Sequence, residues 1–137
     1  MKVKLLQEDI KLNYTFFQIF AVHKYGSEVS VPLLHQGIKF SDFLVSDDSC
    51  THRLVGLRYD SKTMHEPEIT IVCARHEMAA AKQIAFSLGK RIYQKSALSA
   101  MLFRNYTSGQ KLRCQDYNEV AKVYADFICA HNNKKNI

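Results

Sequence analysis

The stretch from Glu68 to Phe103 constrains the fold more than any other part of the chain. Ile69, Ile71 and Cys73 alternate with Thr70, Val72 and Ala74, and β-branched residues dominate, which is the pattern of a strand. Arg75 and His76 break that run. Met78, Ala81, Ile84, Ala85 and Leu88 then recur at steps of three and four, which predicts a helix over 76–89. Gly89 follows as a C′ glycine. Ala97 to Phe103 is a further apolar run. As a helix, its Ala, Leu and Met would be well placed by propensity. The return at Gly89 to Gln94 favours a strand, which would complete a βαβ unit with parallel strands.

The flanking sequence supplies strands before this unit and a helix after it. Tyr14, Phe16, Phe17, Ile19 and Phe20 make Leu12–Val22 apolar on both parities, as in a strand buried on both faces. Tyr25-Gly26-Ser27 reads as a turn. Val29 and Val31 then read as a hairpin partner, and Pro32 should stop that strand. Phe40, Phe43 and Leu44 have helical spacing, and Ser41 could cap a short helix. Ser46-Asp47-Asp48-Ser49 is a surface loop by composition. Leu54 to Tyr59 alternates as a strand, and Asp60 to Pro67 is a polar connection. Asp116 with Glu119 fits a capping box. A helix over 116–131 follows, with Tyr117, Val120, Ala121, Tyr124, Phe127, Ile128 and His131 on one stripe. Asn132 and Asn133 should end it. The expected fold is one compact α+β domain over 1–131 with a short basic tail over 132–137. Its sheet should have four or five strands, mostly antiparallel or mixed, packed by two helices and containing one βαβ unit.

At 137 residues and 47% hydrophobic content, the chain can bury one real core. The four cysteines read as reduced thiols of a cytoplasmic protein, with Cys73 and Cys129 among apolar neighbours. The first residues lack the apolar core of an export signal, and no apolar run reaches the roughly 18 residues of a membrane span. Nineteen Lys and Arg against thirteen Asp and Glu leave a net charge of +6, which favours acidic partners.

Three constellations could carry chemistry. Cys50, His52, Cys73 and His76 form a set that zinc accepts, but their spacings are shorter than finger spacings, so no metal and no cofactor is expected. His65 with Glu66, or His76 with Arg75 and Glu77, could supply the acid–base groups of a metal-independent ribonuclease. His76 would stand at a strand's carboxyl end before a helix N-terminus, a place that suits an anion. The 82–113 region interleaves Lys82, Lys90, Arg91, Lys95 and Arg104 with Tyr93, a mixture suited to phosphates and stacked bases. Phe86 falls about 80° from Met78 on the helical wheel, beside Lys82 and away from the core arc. There is no Walker loop, dinucleotide fingerprint, His-Glu-x-x-His or Gly-x-Ser-x-Gly. The expectation is therefore a small, basic, non-enzymatic accessory or regulatory binding protein. Its partner would be nucleic acid or an acidic protein surface, with no membrane. The alternatives are the ribonuclease and a homodimeric interaction module.

Overall fold

The computed structural model describes residues 31–135. The strand expected at 12–22 and the turn after it lie outside the described residues. The described chain opens with α1 (Val31–Lys39). Pro32 sits in its first turn, where the missing N–H costs nothing, and does not end a strand. Then come β1 (Phe43–Ser46), β2 (Leu54–Arg58), β3 (Glu68–Cys73), α2 (Met78–Ser87), β4 (Ile92–Gln94), α3 (Ser96–Asn105) and α4 (Tyr117–Lys135). The helical spacing of Phe40, Phe43 and Leu44 is accidental: Phe43 and Leu44 belong to β1 and point to opposite faces.

The sheet order is β3-β2-β1-β4. β1 and β3 both run antiparallel to β2, while β4 runs parallel to β1. The α+β domain with a mixed sheet is thus as expected, in a three-layer form. Leu34, Ile38, Met78, Ala81 and Ala85 of α1 and α2 pack on Leu44, Leu54, Ile71 and Cys73. On the opposite face, Leu98, Leu102, Val120 and Val123 of α3 and α4 pack on Phe43, Val45, Val55, Leu57 and Ile69. Neither face is left to water, which is why Phe43-Leu44-Val45 and Leu54-Val55 are apolar without alternation.

Among the described residues four helices, not two, make these layers. The extra ones are α1 and α3, and α3 takes the 97–103 run expected as a strand. Leu98 and Leu102, one turn apart, are buried together on its core side, so the helical period wins there. The crossover from β3 through α2 returns instead as β4, at the far edge of the sheet. On α4 the buried stripe runs through Val120 and Val123, with Tyr117, Tyr124 and Phe127 packed against it. Ala121, Ile128 and His131 lie toward solvent. Asp116 does not cap this helix; its carboxylate accepts the Tyr106 hydroxyl. The helix continues past Asn132 and Asn133 to Lys135.

One bulge sets the parity of β3. Gly56 pairs with Ile71 and Leu57 with Ile69, so Thr70 is an extra residue. Ile69 therefore enters one core layer, and Ile71 and Cys73 the other. The Thr70 hydroxyl is hydrogen-bonded to that of Ser41. Both hydroxyls stand where a Cβ on Gly56 would be. Gly56→Ala is accordingly expected to lower stability by about 1–3 kcal/mol, from overpacking. Urea unfolding would measure it, and an unchanged midpoint would contradict the packing described.

All four cysteines are free. Cys73 is buried, and burial, aided by the nearby Glu77 carboxylate, pushes its thiol up to about 12. Cys129, expected in the core, is exposed, as is Cys114. Under native conditions alkylation is expected to mark Cys114 and Cys129 first and Cys73 only on unfolding. Mass spectrometry of a labelling time course checks this, and early labelling of Cys73 would contradict its burial.

Candidate functional site

β1, β3 and β4 run the same way, so their carboxyl ends gather at one end of the sheet. The connection from β1 to β2, residues 47–53, lies at that end. Composition alone makes it a surface loop, yet Asp47 is only 4% exposed and Ser46 is fully buried. The Asp47 carboxylate organises the whole turn. Its Oδ1 accepts the backbone N–H groups of His52 at 2.9 Å and Arg53 at 3.1 Å. Its Oδ2 accepts the Ser49 hydroxyl at 2.7 Å and the Thr51 N–H at 3.3 Å. The His52 ring nitrogen Nδ1 lies 3.2 Å from the same oxygen. Burial opposes ionisation of Asp47. The hydrogen bonds from Ser49, from the His52 backbone and ring, and from Arg53 overcome it and hold the carboxyl well below the usual carboxylate range.

This turn is closed by a backbone bond from Cys50 N–H to the Asp47 carbonyl, 2.9 Å. Cys50 occupies the left-handed region, at φ 58°. Neighbouring elements pin the loop. The Arg53 guanidinium donates to Ser99 Oγ at 3.1 Å and to the Ser96 carbonyl at 3.3 Å, both on α3. The Gln94 side-chain amide donates to the Asp48 carbonyl at 2.9 Å. The exposed surface of the turn, Asp48, Ser49, Thr51 and His52, is therefore held in one shape.

A carboxylate, a histidine and hydroxyls invite comparison with a catalytic triad. The geometry is different. Thr51 Oγ1 and Asp47 Oδ2 approach the same ring nitrogen of His52, at 3.0 and 3.2 Å. In a triad the base uses one nitrogen for the carboxylate and the other for the nucleophile. The His52 contacts tie the turn together and leave no hydroxyl on Nε2 among the described residues.

A second feature lies along α1. A groove of about 510 Å³ runs between α1 and the outer part of β3, lined by Leu33, Gly37, Phe40, Thr70, Ile71 and Ser108 among others. Leu33 and Phe40 are 44% and 53% exposed on its wall. Gly37 lets α1 approach Ile71 closely, since a Cβ there would stand 2.8 Å from the Ile71 Cβ. Arg58 Nη1 and Glu68 Oε1, 3.8 Å apart, mark one end.

The residues singled out from the sequence are dispersed. His65 lies in the connection before β3 and His76 in the 3₁₀ turn Arg75–Glu77 after it. The six residues of β3, about 20 Å, stand between them, so the two histidines belong to opposite ends of that strand. Cys50, His52, Cys73 and His76 are not gathered either: among the described residues no group of three or more potential metal ligands occurs. Lys82 and Phe86 lie on α2, and Phe86 is 88% exposed, as its wheel position predicts. Arg104 is in the last turn of α3, across the sheet. Lys90, Arg91, Tyr93 and Lys95 flank or form β4. Lys90 Nζ donates to the Ser41 carbonyl at 2.7 Å. Arg91 sits 5.9 Å from the Tyr93 ring, which packs edge-on against Phe43 at 5.4 Å. These side chains lie on both faces and one edge of the sheet and do not make a single surface.

The residues missed were Asp47 and its donors. The available signal was an Asp followed at two and four residues by Ser49 and Thr51, which is Asx-turn chemistry. Composition made it look like an ordinary solvated loop.

The sheet flanked by helix pairs, with its held turn at the carboxyl ends of the strands, is a known architecture. The sequence profile of the FlhB HrpN YscU SpaS family matches residues 33–126, and the chain belongs to that family. The fold is that of solved export-protein domains. A crystal structure of the EscU C-terminal domain carrying an asparagine-to-aspartate mutation aligns with a TM-score of 0.63 at 20% identity. That alignment covers 69% of this chain and 98% of the other. A proline-to-alanine form of the same EscU domain gives 0.60 at 20% identity, over 72% and 89% of the two chains. The cytoplasmic domain of FlhB from Shewanella putrefaciens gives 0.69 at 16% identity, over 77% and 80%. No curated protein matches the chain significantly.

Family membership corrects the functional expectation. The family comprises type III secretion export proteins, not nucleic-acid-binding regulators or ribonucleases. It also displaces the expected partners, namely nucleic acid, an acidic protein or a second copy, with no membrane. The family's partners are other secretion proteins, and it is associated with the membrane. Among the described residues no helix is long and apolar enough to cross a membrane. The +6 charge misled because some of the cations spend donors on the fold itself: Lys90 on the Ser41 carbonyl, Arg53 on Ser99, and the exposed Arg113 guanidinium on the Tyr106 hydroxyl.

The Asp47 turn makes a pH prediction. A carboxyl depressed on folding contributes stability that is fully present above its unfolded value, near pH 4, and is lost as pH falls toward the folded value. Asp47→Asn is expected to cost about 1–3 kcal/mol at pH 7, since an amide leaves some of these buried donors unpaired. The difference from the parent protein should shrink below about pH 4. Urea midpoints across pH would show it, and a pH-independent difference would contradict the role given to the carboxylate.

Proposed function

We propose that this chain serves a type III secretion export apparatus through protein contacts made on the cytoplasmic side. The single observation that carries the reading is the extent of the family match. Residues 33–126 include all four strands and both core layers, together with the Asp47 turn. The cytoplasmic placement rests on the likeness to the FlhB cytoplasmic domain. The rigid surface of the turn supports a contact role over a chemical one. A pre-shaped patch loses little conformational entropy on binding, and its histidine is arranged to brace the loop.

The test is genetic and biochemical. In the organism that carries this gene, its deletion is expected to deplete the proteins exported by that apparatus from the medium, and the intact gene should restore them. Quantitative analysis of secreted protein reads the result. Export unchanged by the deletion would overturn the proposal.

A further inference from the structure

We propose that residues 107–112 form a strap that closes the outer edge of β3 and keeps that strand from pairing with other chains. Among the described strands, β3 has β2 as its only neighbour, so it is an edge of the sheet. After Glu68 it runs Ile69-Thr70-Ile71-Val72-Cys73, with no charge and four β-branched residues in succession. Such an edge, left open, is a template for strand addition and aggregation. The opposite edge is protected in another way. β4 is three residues long and stands between Arg91 and Lys95, and short, charged edges resist pairing.

The strap meets the outward backbone groups of β3 in turn. The Leu112 N–H donates to the Pro67 carbonyl at 2.8 Å. The Ile69 N–H donates to the Gln110 carbonyl at 2.8 Å, and the Ile69 carbonyl accepts the Gly109 N–H at 2.6 Å. Lys111 faces Glu68 in an antiparallel bridge. Beyond Ile69, the Thr70 bulge moves the next outward N–H from Ile71 to Val72. There the strap answers with a side chain: the Ser108 hydroxyl accepts the Val72 N–H at 3.1 Å. Core packing does not account for the strap. Thr107, Ser108, Gly109, Gln110 and Lys111 are all exposed, and only its anchors, Tyr106 and Leu112, are buried. What the exposed residues contribute is bonds to the β3 edge. Their shape is preset. Gly109 holds φ at 89°, where a side chain would be strained. The Gln110 N–H donates to the Thr107 carbonyl at 3.2 Å, and Gln110 Oε1 accepts the Thr107 N–H at 3.0 Å.

The test is to peel the strap away in the full chain. Gly109→Pro removes the donor to Ile69 and cannot adopt the positive φ. The rest of the fold is expected to persist, read as unchanged hydrogen-exchange protection of Val55 and Leu57 in β2. In dilute solution the Ile69 and Val72 amides should exchange about tenfold faster than in the parent protein, or more. Sedimentation velocity should show association that the parent protein lacks and that grows with concentration. In the associated species both amides should regain protection, because the new contact runs along the β3 edge. No association beyond that of the parent protein, with Ile69 exchanging fast, would overturn the proposal. So would association that leaves Ile69 and Val72 unprotected. If Gly109→Pro does not fold, Ser108→Ala decides in its place, since it removes only the acceptor of the Val72 N–H. Fast exchange of the Val72 amide in dilute solution that slows as concentration rises is the expected result. Exchange of that amide at one rate at every concentration would overturn the proposal. The readout is contact between purified chains, so its failure is distinct from failure of the export role.

Discussion

A single buried carboxylate decides how the two central strands of this domain are joined. β1 ends at Ser46, and the chain must reverse within seven residues to start β2. Its turning backbone would leave several N–H groups without sheet partners. Asp47 accepts three of them, together with the Ser49 hydroxyl. An ionised acceptor in a dry site makes strong bonds, and removing it would strand its donors. The left-handed conformation of Cys50 is sustained by this over-determined turn. With the turn in place, β1 and β2 pair from Phe43↔Leu57 to Ser46↔Leu54, and both strands can be buried on both faces.

Double-sided burial then dictates the rest. Two helices are needed on each face, and the chain supplies them by crossing from β3 at one edge to β4 at the other. The Thr70 bulge shares the side chains of β3 between the two layers, and Gly56 makes room for it. Several polar atoms trapped by this arrangement are met locally, whereas the buried Tyr93 hydroxyl finds no hydrogen-bond partner among the described residues. Ser41 Oγ donates to the Gly37 carbonyl, and Tyr124 and the Tyr59 N–H both donate to Asp42. Burial, with Asp42 nearby, pushes the Tyr124 hydroxyl well above its ordinary range, so it stays a donor.

The sequence was legible where periodicity was long and unmixed. β2, β3, α2 and α4 follow from their apolar spacing, and the mixed α+β class follows from their order. It was misleading where short apolar runs fit two periods. Ala97–Phe103 reads as strand or helix until Leu98 and Leu102 are seen buried one turn apart. Phe43 and Leu44 look like adjacent members of a helix face because a strand buried on both sides also places apolar residues in succession. The site was less legible than the fold. Charge counts cannot distinguish a cation facing solvent from Lys90 or Arg53, whose donors are taken by internal carbonyls and hydroxyls. Polar composition likewise hid Asp47, because loop residues that hydrogen-bond to one another have the same composition as loop residues that hydrogen-bond to water.

The pairing of β1 with β2 depends on the 47–53 turn being as firmly held as the strands it joins. Native-state hydrogen exchange of the amides of Thr51, His52 and Arg53 tests this most directly. All three residues are at least partly exposed, so an ordinary surface loop would exchange these amides rapidly. Bonds to the Asp47 carboxylate predict protection close to that of Val55 and Leu57 in β2. Exchange of all three at the rate of unstructured amides would contradict the account.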